Sequence, residues 1–307
     1  MPYLMSNRIR IAYETAGDPK DVPLLLIMGL GMQMTGWPDA LVEQLVDMGF
    51  YVVRFDNRDC GLSDKFEHAG TPSVPLALLK HLVRWPLKGA YSLHDMAADA
   101  MGVLKALGIN KAHVVGASMG GMIAQIMAAT HPERVASLTS IMSTSGRRAL
   151  PGPTRAARAA LLARPRGSDA DSLIAHGVHV FRVIGSPAYP TSDKALRARI
   201  AASIRRNVCP GGVARQMLAI AASGERSGLL ASIRVPTLVI HGAADPLVPL
   251  AAGIDTARLV PGARLEVIEG MGHDLPAQLI ERIAALIDAH AHGKIGPDST
   301  ARLFERQ

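Results

Sequence analysis

Short runs of apolar and β-branched residues alternate with stretches of helical periodicity along this chain, and they run into Gly, Asp or Ser: VPLLLIM (22–28), FYVVRF (50–55), AHVV (112–115), VASLTSIM (135–142), VPTLVIH (235–241) and RLEVI (264–268). Their near-continuous hydrophobicity predicts strands buried on both faces, the property of a parallel sheet covered by helices. The intervening patterns at 38–48, 92–107, 119–130 and 276–291 supply those helices through right-handed crossovers. NRIRIAYETAG near the start alternates polar and apolar side chains and reads as a half-exposed antiparallel strand, so the expected sheet is open and mixed.

At 307 residues and 49% apolar content the chain can bury one large core with an accessory lobe, and 19% charged residues without heptads exclude disorder and a coiled coil. The sequence has no 18-residue apolar run, and MPYLMSNRIRIAY lacks the apolar segment and small-residue cleavage site of an export signal. A cytoplasmic protein with no integral membrane association is the expectation. Cys60 and Cys209 read as free thiols; no Cys/His cluster has metal-ligand spacing, and neither metal nor cofactor is expected.

Between Ser143 and Ala231 the alternation gives way to Ala-, Arg- and Leu-rich helical stretches (154–163, 194–206, 213–223) interrupted by prolines. Such a length is too great for a plain loop. The organisation read from this is a first core segment over 1–142, a helical cap insertion over 143–231, a second core segment over 232–292 and a loose tail over 293–307. Residues 147–226 carry a net charge of +10 within a total of +7, so the basic excess belongs to the insertion. It can steer anionic ligands, face a membrane surface or keep a helical face solvated; without a recognition motif it does not point to nucleic acid.

Gly116-Ala117-Ser118-Met119-Gly120 lies between an apolar run and a strong helical pattern. This is the setting of a nucleophile elbow, in which glycines permit a sharp turn and the serine hydroxyl is exposed at the helix start. A serine hydroxyl needs a base and an orienting acid. Asp245 follows the run at 235–241 and His273 the run at 264–268, each beyond a strand end, so Ser118, Asp245 and His273 form the expected catalytic set. Glu269 and Asp274 are competing carboxylates. The Met119 N–H, aided by the helix dipole, and the Leu30 N–H in Met28-Gly29-Leu30-Gly31 are the expected oxyanion donors. GLGMQM lacks the third glycine of a dinucleotide fingerprint, and FDNRDCGLSD reads as an internally hydrogen-bonded charged turn. Met32, Met34, Trp37, Met122, Met142 and Met271, with Met119, flank these segments and are candidates for a soft apolar pocket.

On GASMG, HGAADPLVP and GMGHDLP the chain resembles the α/β-hydrolase superfamily over residues 8–292. The resemblance implies an eight-stranded, mostly parallel sheet carrying a Ser–His–acid triad beneath a variable helical cap. Across LLLIMGLGMQMTGWPDALVEQLVDMGFYVVRFDNRDCGLSD and AHVVGASMGGMIAQIMAATHPERVASLTSIM it resembles the branch containing aclacinomycin methylesterase and related bacterial carboxylesterases, with Met28-Gly29 where many members have His-Gly. The expected function is a serine hydrolase cleaving neutral or apolar carboxylic esters through an acyl-enzyme, its partner a small-molecule ester. Thioesters, lactones, polyketide methyl esters and carbon–carbon bonds are alternative substrates, a noncatalytic ligand-binding protein is the competing class, and self-association stays open.

Overall fold

The structure, a computed structural model, describes residues 1–73 and 85–294. Leucine- and valine-rich runs form the sheet: β1 (Tyr3–Ser6), β2 (Ile9–Ala16), β3 (Val22–Ile27), β4 (Phe50–Phe55), β5 (Ala112–Ala117), β6 (Val135–Ile141), β7 (Thr237–Gly242) and β8 (Arg264–Ile268). Their order is β1-β2-β4-β3-β5-β6-β7-β8, with β1 and β2 antiparallel to their neighbours and the other pairs parallel. The alternating segment forms the antiparallel strand β2 as expected, and β1 precedes it: Asn7 and Arg8 take left-handed φ values of 47° and 67° and close a two-residue hairpin between Ser6 and Ile9.

Burial on both faces is visible within β3. Leu25 and Ile27 pack into one apolar cluster, Leu24 and Leu26 into the other, and all four are fully buried. Helices α1 (Asp39–Asp47), α2 (Leu93–Ala106) and α3 (Met119–Thr130) follow the expected patterns closely. The pattern at 276–291 becomes a 3-10 turn followed by α10 (Ile280–Ala291). Contacts of α2 with α3 and of α1 with α10 reflect the two helical layers. A Leu→Ala change inside either cluster costs about 2–5 kcal/mol.

The insertion contains α4 (Arg155–Leu162), α5 (Ala170–Ile184), α6 (Asp193–Arg206), α7 (Pro210–Ser223) and α8 (Ser227–Ala231); α9 (Leu250–Leu259) follows β7. Neither α5 nor α9 stands out in the sequence. Gly177 interrupts α5, and its β-branched and aromatic residues blur the helical signal. The insertion has its own small core of Val178, Leu196 and Ile200, against which Ile174, Phe181 and Ile204 pack. Among the described residues no helix is long and apolar enough to cross a membrane. The tail expected after residue 292 lies, from 295 onward, outside the described residues.

Candidate active site

Ser118 stands just past the end of β5, with φ 55° and ψ −118°, at the N-cap of α3. That left-handed conformation is strained for a serine and needs over-determination by its surroundings. The Ser118 N–H donates to the Ile141 carbonyl at 2.9 Å, while its carbonyl accepts from Gly121 N–H at 2.9 Å and from Ser143 Oγ at 2.8 Å. The flanking glycines are obligatory: a Cβ on Gly116 would lie 2.2 Å from the Gly120 carbonyl oxygen, and one on Gly120 would lie 2.0 Å from that of Ile27.

Strands β7 and β8 deliver the other two groups. His273 Nδ1 lies 2.7 Å from Asp245 Oδ2, and His273 Nε2 lies 3.0 Å from Ser118 Oγ. An ionised carboxylate only accepts hydrogen bonds, which places the ring proton on Nδ1 and leaves Nε2 to accept from the serine hydroxyl. Asp245 is held by its second oxygen, Oδ1, which accepts from the Leu247 and Val248 N–H groups at 2.9 and 2.8 Å. Asp245 and His273 are buried and Ser118 is half-buried. The competing acids lie elsewhere: Glu269 is exposed, and Asp274 accepts a 2.5 Å hydrogen bond from Ser186 Oγ. Burial pushes the Asp274 carboxyl upward against the pull of Ser186 and Arg199.

The Leu30 turn abuts Ser118, since a Cβ on Gly29 would lie 3.1 Å from Ser118 Cβ. Met119 opens α3, where an amide has no intrahelical acceptor, so its N–H is available beside the hydroxyl. Asn57 Nδ2 donates to the Met28 carbonyl at 2.9 Å and Asp56 Oδ1 accepts from the Met34 N–H at 2.8 Å, fixing both ends of the turn.

The charged turn after β4 is hydrogen-bonded within itself as its sequence suggests, Asp56 accepting from the Leu62 N–H at 2.8 Å and from Ser63 Oγ at 2.6 Å, while its charged side chains also pair outside it. Arg58 reaches Asp99 of α2, with Nε 2.6 Å from Oδ2, while Asp59 is gripped by Arg215 of α7 through two 2.7 Å bonds, and Asp56 lies 2.7 Å from Arg206 of α6. Each partner comes from a distant segment of the chain. Arg58 Cζ stacks 5.0 Å from the ring centroids of Phe66 and Tyr91. Through Asp56 and Asp59 this turn is therefore one anchor of the insertion on the core.

The insertion also clamps the loop that carries His273. His273 N–H donates to the Ile184 carbonyl at 2.7 Å and Gly272 N–H to Ser186 Oγ at 2.8 Å. Of the candidate pocket residues, Trp37, Met142 and Met271 lie in one core cluster and Met119 and Met122 in the other; Met34 is fully buried and Met32 partly so. Asn57, Ser186 and Gln216 organise the site without having stood out in the sequence, whereas Asp56 belongs to the charged turn that the sequence singles out. The one available signal was polar side chains inside otherwise apolar segments, as in MLAIAAS after Gln216.

The profile of the alpha/beta hydrolase fold matches residues 22–277. The chain is 32% identical to rhodomycin D methylesterase DauP of a Streptomyces species, over 94% of this chain and 96% of the relative. It is also 33% identical to 2-hydroxymuconate semialdehyde hydrolase of Pseudomonas putida, over 66% and 70% respectively. Among solved structures, a meta-cleavage product hydrolase of Pseudomonas fluorescens superposes with a TM-score of 0.75 at 21% identity, covering 96% of this chain and 98% of that one. The sequence relatives correct the narrower resemblance to the aclacinomycin methylesterase branch: hydrolases named for 2-hydroxymuconate semialdehyde and for 2-hydroxy-6-oxononadienedioate are matched as well, so methylesterases are not singled out. Matched across most of its length, and with an eight-stranded sheet presenting a serine at a strand-to-helix turn, the chain belongs to the alpha/beta hydrolase fold family.

Proposed function

We propose that the protein is a serine hydrolase in which Ser118 attacks a carbonyl carbon of a small organic substrate, His273 is the base, Asp245 orients it, and the Met119 and Leu30 amides receive the oxyanion. The observation that carries this reading is the 3.0 Å approach of Ser118 Oγ to His273 Nε2 with Asp245 at 2.7 Å behind the ring. His273 takes the serine proton as the C–O bond forms, and the carbonyl electrons move onto oxygen, which the Met119 and Leu30 amides stabilise. Collapse of the adduct expels the leaving group, which His273 protonates, and water then releases the acyl group from Ser118 with His273 again as base.

The same steps cleave an acyl–carbon bond when the departing carbon is conjugated to a carbonyl that can hold the electron pair; His273 then protonates carbon instead of oxygen. Support for a carbon–carbon substrate comes from relatives named for 2-hydroxymuconate semialdehyde and for 2-hydroxy-6-oxononadienedioate, each an enol and a carbonyl, aldehyde in the first and ketone in the second, on one conjugated chain. A conjugated oxo-dienoate is therefore the substrate class we favour, and carboxylic esters the second, because the oxyanion and base geometry suits any acyl carbon. A matched panel of 2-hydroxy-6-oxo-dienoates, esters, thioesters and lactones tests this, read as kcat/KM beside acyl-enzyme mass. Turnover of the dienoates at least about tenfold above the esters is expected. Ester turnover alone would move the assignment to ester hydrolysis, and no labelling of Ser118 by a serine-reactive phosphonate would remove the serine mechanism.

A further inference from the structure

The turn bearing the Leu30 amide is held at its middle from the insertion. Gln216 of α7 is fully buried, and its two amide ends meet two loops of the core: Oε1 accepts from the Gly31 N–H at 2.8 Å and Nε2 donates to the Arg58 carbonyl at 2.8 Å. The partners fix which end of the amide faces which loop, since a backbone N–H can only donate and a carbonyl only accept. Gly31 has φ 65°, and a Cβ there would lie 2.9 Å from Cγ2 of Val213, one turn before Gln216 on α7. Leu30 thus lies between Gly29, against Ser118, and Gly31, tied to the insertion.

Resting on the reading that the Leu30 N–H receives the oxyanion, we propose that Gln216 is a positioning residue for that amide. Its bond to Gly31 sets the orientation of the adjoining peptide unit, and its bond to Arg58 holds Gln216 itself in place. Docking of α7 and stabilisation of the oxyanion are coupled through this one side chain. The bidentate Arg215–Asp59 pair, one residue earlier, sets the height at which α7 sits above the turn. Removing an oxyanion donor outright costs about 10²–10³ in kcat, so losing the support of one costs less, about 10–100-fold.

Gln216→Met removes both hydrogen bonds at nearly constant side-chain length; Gln216→Glu keeps an acceptor for Gly31 and removes the donor to Arg58. Both are compared with wild type by kcat and KM per site titrated with a serine-reactive phosphonate, and by affinity for a trifluoromethyl ketone, which forms a tetrahedral oxyanion on Ser118. In Gln216→Met, kcat per site and ketone affinity should fall together by about 10–100-fold with KM within about threefold, and Gln216→Glu should stay within about tenfold of wild-type kcat. A purely structural role would lower the titratable fraction and leave kcat per site unchanged. Wild-type kcat per site in Gln216→Met, or a loss confined to KM, overturns the proposal. If Gln216→Met does not fold, Gln216→Glu decides alone, and a loss in kcat per site beyond tenfold overturns it. Failure of the phosphonate to label wild-type protein overturns the serine mechanism and this role with it, whereas labelled sites with wild-type kcat in Gln216→Met overturn the role alone.

Discussion

Asp245 binds His273 with one oxygen and the turn that carries it with the other: Oδ2 meets Nδ1 at 2.7 Å while Oδ1 accepts from the Leu247 and Val248 amides. The acid is therefore rigid, and it imposes one tautomer on the imidazole. In Asp245→Asn the Leu247 and Val248 N–H groups keep the amide oxygen on their side, so the Nδ2 donor faces His273 Nδ1 and drives the ring proton to Nε2. A kcat loss of about 10³–10⁴-fold is expected, with a folded protein by circular dichroism and an unchanged Glu269→Gln control. Near-wild-type turnover by Asp245→Asn would remove the acid from this position.

The Arg58–Asp99 pair joins the turn after β4 to α2 with both side chains almost wholly buried. Burial pushes the Asp99 carboxyl upward while Arg58 pulls it down. Removing the cation alone leaves a buried carboxylate uncompensated, so Arg58→Met should cost about 3–5 kcal/mol in urea unfolding. Arg58→Met combined with Asp99→Leu should recover most of that loss. Equal destabilisation in the single and double variants would show that shape, rather than charge, governs the site.

Acid sensitivity has an identifiable source at the other end of β5. Burial, then the nearby His290, His292 and Lys111 charges, lower the His113 pKa from 6.5 to about 4. The unfolded chain takes up this proton first as pH falls, so the stabilisation is fully present above pH 6.5 and is lost progressively toward pH 4. Urea midpoints measured from pH 7 downward should decline more steeply for wild type than for His113→Gln. Some slope should persist, because burial also lowers His290. Parallel curves for the two proteins would clear His113 of this role.

The arginines of the insertion divide by use. Arg206 and Arg215 pair with Asp56 and Asp59, Arg226 donates to the Thr144 carbonyl, and Arg199 stacks over Phe181, whereas Arg148, Arg155, Arg158, Arg164, Arg166, Arg197 and Arg205 are exposed. Exposed charges act over a Debye length of about 8 Å at about 0.15 M salt. If the exposed group steers substrates, kcat/KM for an anionic substrate should fall as salt rises while a size-matched neutral one changes little. The same salt dependence for both would assign these residues to solvation of the outer face.

Strand–helix alternation and the elbow glycines were legible in the sequence because both are local. An apolar run buried on both faces has no other place than the middle of a covered sheet, and Gly116 and Gly120 leave room only for hydrogen there. The order Ser118, Asp245, His273 followed from strand ends, where a parallel sheet collects its loops. What tertiary structure decided is how the loops are held. Arg58 sits between Asp56 and Asp59 in the chain yet pairs with Asp99, and Asp59 pairs with Arg215, 156 positions away. Gln216 reads as one polar residue in an alanine-rich helix, and its reach to Gly31 and Arg58 exists only once α7 docks. Periodicity reports which face of an element is buried; it carries nothing about which buried polar groups meet across the fold, because that depends on the angle and depth at which separate segments pack.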